Sequence, residues 1–166
     1  MFDPTVFDNL KVVIEGDLYD LDLDGVVKIV ERKDMVDLAA MSRTFSMKIA
    51  VNNAEIMGEI ILSSDAENLS GEILKHIEAP GCTVKLVFIK NASEVSNLHQ
   101  EVKNWKNSLS EIWTERNITI FSTKKHAEEE KENVELKAEV IFDRLILEEN
   151  IDDLRDMLSF MVETII

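Results

Sequence analysis

Cysteine is almost missing from this sequence: Cys82 is the single thiol in 166 residues, so no internal disulfide can form. A domain of this size buries about 70% of its unfolded-chain surface and needs no covalent staple. A lone thiol fits a reducing compartment, which makes a cytoplasmic setting the expectation. Proline and glycine are also scarce, at two and five residues. No stretch has linker composition, which predicts one domain over residues 1–166. So few glycines leave little material for backbone cradles around phosphate. No Gly-x-Ser-x-Gly elbow, phosphate-binding loop or dinucleotide fingerprint occurs. No apolar run approaches the ~18 residues of a membrane helix. Met1-Phe2-Asp3-Pro4 has neither the basic region nor the apolar core of a signal peptide.

Positive charge is the next shortage. Eighteen bases face 33 acids, a formal charge of −15. The excess sits at the two ends: residues 1–34 carry nine acids and four bases, and residues 127–166 carry 13 and four. Nucleic acid and anionic membranes would repel such a surface, so neither is expected as a partner, whereas a basic protein is admissible.

The chain is nevertheless 45% apolar, enough for a substantial core. Asp3-Pro4 predicts an N-cap and a short helical turn to about Asn9. The β-branched Leu10–Glu15, then Leu18–Leu23 and Val26–Glu31, predict three strands joined at Gly16-Asp17 and Asp24-Gly25. Arg32-Lys33-Asp34 should break the third. Met35–Met41 fits either period and is read as strand. Phe45, Met47, Ile49 and Val51 alternate with small or polar residues, another strand, and Glu55–Leu62 completes an N-terminal antiparallel meander.

The second half alternates. Asp65 should cap a helix to about Glu78 that buries Leu69, Ile73, Leu74 and Ile77. Cys82–Ile89 is the most apolar strand, expected to be central and covered on both faces. Ser93 should cap a long helix with the stripe Val95, Leu98, Val102, Trp105, Leu109 and Ile112. Residues 117–123 and 134–142 read as strands, separated by the solvated acidic run 127–133. Asn150 should cap a terminal helix with the stripe Ile151, Leu154, Leu158, Met161 and Ile165. The expected fold is α+β, a mostly antiparallel sheet with about three helices on one face.

One motif has the form of chemistry. Asp20, Asp22, Asp24 and Gly25, with Glu31 at the twelfth position, match the written pattern of a calcium loop. They resemble the loop of the EF-hand, which would place a cation on those four carboxylates. That family needs a helix on each side. Here the flanks read as strands, Lys28 stands at the ninth position, and no second loop exists to pair with this one. The expectation is therefore a strand and a hairpin turn, with the cation site as the lesser alternative.

The remaining candidates are ordinary. His76, His99 and His126 share no metal spacing. Cys82 lacks an indicated base and is expected to be a buried thiol. Trp105 belongs to the core stripe and Trp113 to its edge, as core or as contact surface. No catalytic, cofactor or metal residue is assigned. The expected function is a non-catalytic interaction or regulatory protein. Self-association as a homodimer is an option, because the apolar end Met161–Ile166 must be buried somewhere. The alternatives are an acidic inhibitor or immunity-type protein that occupies a basic partner, and an enzyme whose site is assembled only in three dimensions.

Overall fold

The computed structural model describes residues 5–127 and 133–166. Its first element corrects the sequence reading. Val6–Leu23 is one 18-residue helix, α1, in place of a short turn and two strands. Its buried residues Phe7, Leu10, Ile14 and Leu18 step by three and four, which puts them on one helical face. Thr5 caps it: its hydroxyl accepts the Asp8 amide at 3.2 Å, and the Asp8 carboxylate accepts the Thr5 amide at 3.3 Å. The expected Asp3 cap lies outside the described residues.

Asp24-Gly25 ends α1 and is not a hairpin turn. Gly25 sits at φ +74°. The amides of Gly25 and Val26 bond back to the carbonyls of Asp22 and Leu21 at 3.0 and 2.9 Å. This doubled closure needs a left-handed residue, which glycine supplies without a Cβ clash.

The sheet follows, with strands β1 (Lys28–Asp37), β2 (Ser42–Ala50), β3 (Met57–Ser64), β4 (Gly81–Asn91), β5 (Asn117–Lys124), β6 (Val134–Ile141) and β7 (Ile146–Leu147). Their order is β1-β2-β3-β4-β6-β5, every pairing is antiparallel, and β7 adds two pairs at the start of β4. The other helices are α2 (Ala66–Ile73), α3 (Leu98–Ile112) and α4 (Ile151–Ile165). The architecture is the expected α+β, with four helices rather than three.

Arg32-Lys33-Asp34 does not break β1. Arg32 and Asp34 lie on the side of β1 that faces α1, where opposite charges meet them. Asp34 binds Lys11 at 2.6 Å and Arg43 at 2.9 Å, Arg43 reaches Asp8 at 2.8 Å, and Arg32 binds Glu15 at 2.6 Å. The Arg43 guanidinium also lies 4.5 Å from the Phe7 ring centre.

Two further expectations change. α2 stops at Ile73 because Lys75 takes a left-handed φ of 57° and the chain turns back. Ile77 then folds onto Gly71, the buried residue of α2, and leaves Ile73 and Leu74 exposed. Ser93 is not the cap of α3. A short 3-10 turn, Val95–Asn97, leads into that helix, while the Ser93 amide donates to Glu101 at 3.1 Å.

α4 lies close against the sheet at Gly58, where a Cβ would meet Met161 Cγ and Ile165 Cγ2 at 3.3 Å each. Met161, Val162 and Ile165 are buried in the chain's own core, so the terminal stripe leaves only Ile166 in the open at that end. That removes the reason for placing a dimer contact on α4. Among the described residues, no helix is long and apolar enough to cross a membrane.

Candidate interaction surface

Antiparallel register sorts the sheet into two faces, because successive side chains point to opposite sides. One face holds Phe45, Met47 and Ile49 of β2, Ile60 and Leu62 of β3, Leu86 and Phe88 of β4, and Leu136, Ala138 and Val140 of β6, all fully buried. Helix contacts fall on this side: Gly58 with α4, Phe45 under Lys11 of α1, and Lys90 over Trp105 of α3.

Among the described residues, no helix covers the opposite face. Its apolar residues are Met35 of β1, Met57 and Ile61 of β3, Val87 and Ile89 of β4, Phe121 of β5 and Ile141 of β6. Phe121 and Ile141 are 45% and 39% exposed. β4 is therefore central, as expected; the helices pack on one of its faces, while on the other Val87 is nonetheless 4% exposed. Its apolar residues on both faces suit a strand buried on both. That mismatch was present in the sequence as the run Val84-Lys85-Leu86-Val87-Phe88-Ile89.

Charge on the open face is balanced. β1 contributes Lys28, Glu31, Lys33 and Asp37, β2 and β3 contribute Lys48 and Glu59, and β4 and β6 contribute Lys85, Glu135, Lys137 and Glu139. These five lysines and five carboxylates cancel within a chain whose net charge is −15. They also pair with one another. Glu31 binds Lys33 at 2.9 Å and Lys48 at 3.2 Å, and Glu139 binds Lys85 at 3.3 Å and Lys137 at 3.5 Å. The hydrogen bonds of Lys33, then those of Lys48, lower the pKa of Glu31. The Lys137 ammonium lies 5.3 Å from the Phe121 ring centre and lends that ring its apolar stem.

A second concavity, a cleft of about 260 Å³, opens between the end of α3, α4 and the chain after β6. Trp113, Phe142 and Phe160 form its aromatic wall, with ring centres 5.8–6.1 Å apart from that of Trp113. Three of its charges meet neighbours: Arg144 binds Asp153 at 2.6 Å, and Arg116 stacks 5.0 Å from the Phe142 ring centre. Trp113 itself is buried, so it belongs to the core rather than to a contact surface.

The calcium pattern is not assembled. A helix does precede the loop, against the strand read from sequence, but a strand follows it. The Asp22 carboxylate accepts the Ile29 amide at 3.3 Å. Glu31 points to the open face of the sheet, away from α1, and is held by Lys33 and Lys48. Among the described residues, no three His, Cys, Asp or Glu side chains gather to hold a metal. His76, His99 and His126 are exposed and separate. Cys82 is 2% exposed on β4, and its burial pushes the thiol up to about 12, well away from nucleophilic use.

No family model matches the chain, and no curated protein or solved structure is significantly similar to it.

Proposed function

We propose that this protein acts by binding another protein, as a non-catalytic interaction or regulatory component, and that the open face of its sheet is the contact. The observation that carries this reading is β4. It is apolar on both faces although its own helices cover one, and on the other face the exposed Phe121 and Ile141 of the neighbouring strands are suited to a second layer. Sheets pack on a facing layer about 10 Å away with interdigitated apolar side chains. The paired lysines and glutamates around Val87 enter such a contact with their charges already matched, which lowers the cost of covering them. A cytoplasmic setting agrees with the buried, reduced thiol of Cys82.

The deciding experiment is affinity capture from native lysate with the wild-type chain and with Ile141→Glu. The expected result is a protein retained at high salt and lost with the variant. Capture that ignores Ile141→Glu and fails at high salt would favour an acidic inhibitor of a basic partner instead. The observation behind that second reading is the acidic helix layer, with Asp17, Asp20 and Asp22 on α1 and Asp152, Asp153 and Asp156 on α4.

A further inference from the structure

We infer that the partner on the open face is a second copy of this chain, so that two sheets pack face to face about a two-fold axis. This rests on the reading above and names the occupant. Two copies of a chain with a charge of −15 repel each other over most of their surfaces. The open face is where that repulsion vanishes, since its lysines and carboxylates cancel.

An isologous contact sets a patch against itself, so a face of a single sign would oppose its own pairing. This face is striped. Register aligns Glu31, Lys48, Glu59 and Glu139 in one row across the strands. Lys33 and Lys85 lie in the row on one side, and Lys28 and Lys137 in the row on the other. A two-fold axis that runs along these rows, between the acidic row and a basic one, lays the acidic row of one copy over a basic row of its mate. A basic partner, by contrast, would gain nothing from a neutral face and would be steered to the helix layer.

The size also suits. Six strands ~4.8 Å apart, eight residues long at ~3.3 Å each, give roughly 600 Å² in projection. Accessible area exceeds projected area, and a standard interface buries about 800 Å² on each partner.

Sedimentation velocity on the full chain, from low to high micromolar, tests the inference. A concentration-dependent dimer is expected. Ile141→Glu should shift it to monomer with an unchanged far-UV circular dichroism spectrum, and Phe160→Glu on the helix layer should leave it dimeric. Single cysteines replacing Thr44 or Thr119 on the open face should cross-link two copies through a short bismaleimide. One replacing Ser108 on α3 should not, and the buried Cys82 stays in place. A chain that is monomeric throughout, or a dimer indifferent to Ile141→Glu and cross-linked only at Ser108, overturns the second copy. If the chain is monomeric yet Ile141→Glu still abolishes capture of a different protein, the open face remains the contact and the self-pairing alone fails.

Discussion

The indole nitrogen of Trp113 donates to the hydroxyl of Thr164 at 3.1 Å, and that hydroxyl donates in turn to the Phe160 carbonyl at 2.7 Å. Both side chains are buried, Trp113 at the end of α3 and Thr164 near the end of α4. The pair fixes the register of the two helices where Trp113 also meets Phe88, Phe142 and Phe160. Thr164→Val keeps the volume and strands a buried N–H donor, a loss of about 1–3 kcal/mol. Urea denaturation should show that loss in Thr164→Val. In a double-mutant cycle with Trp113→Phe, the second substitution should cost less than it does in the wild-type background.

Asp34 is the hinge of the ionic layer between α1 and the first hairpin. Hydrogen bonds from Arg43, then from Lys11, hold its carboxyl down to about 2. A carboxylate depressed in the folded state contributes stability above its unfolded value of about 4, and loses it as pH falls through the folded value. The window therefore runs from about pH 4 to pH 2. Solvent screening at this partly exposed pair keeps the contribution to about 1 kcal/mol. Asp34→Asn should be less stable than wild type at pH 6 by about that amount, and the gap should close across the window. Equal gaps at pH 6 and pH 2 would assign the loss to packing instead.

How legible each element was depended on whether one face or one period dominated. The stripes of α3 and α4 and the alternation of β6 could be read directly because each element buries one face. α1 carried its period too, in Phe7, Leu10, Ile14 and Leu18. Val12 and Gly16 lie between those positions on the exposed side and Val13 at the edge of the core, and their strand-like composition hid it. Burial of this four-residue stripe outweighs propensities of a few tenths of a kcal/mol per residue. The middle of β1 was misread for a related reason. Charges at Arg32 and Asp34 look like a break until the opposite charges of α1 come opposite them. The open face was legible in part: β4 announced two apolar sides, but which side lacked a layer depends on where α1, α3 and α4 pack.

Two glycines of the first 25 residues should respond oppositely to alanine. Gly16 lies in the exposed middle of α1, and a Cβ there meets nothing within 4 Å. Gly16→Ala should stabilise the protein by about 0.5–1 kcal/mol through helix propensity and a less mobile unfolded chain. Gly25 has equal room but holds φ +74° at the end of the same helix. Gly25→Ala should cost about 1–2 kcal/mol, since an L residue is strained there. Thermal melts of the two variants separate the effects, because space is open at both and only conformation differs. Matching shifts of the same sign would mean that the helix does not end as described.

Cys82 offers a probe of opening that needs no substitution. It is paired in β4 with Ile146 of β7 and shielded by the core, and burial holds its thiol near 12. Attack on a disulfide reagent needs a thiolate and access, and the folded chain supplies neither. Labelling by an aromatic disulfide at pH 8 should therefore be slow in native buffer and fast in denaturant. In intermediate urea the rate should follow the population of opened molecules. β7 is only two residues long, so local release of Ile146-Leu147 is a second route to the sulfur. Truncating the β7 side chain with Ile146→Ala should then raise the labelling rate more than its loss of global stability accounts for. Rates that track global unfolding alone in both proteins would place Cys82 inside the slowest-opening part of the sheet.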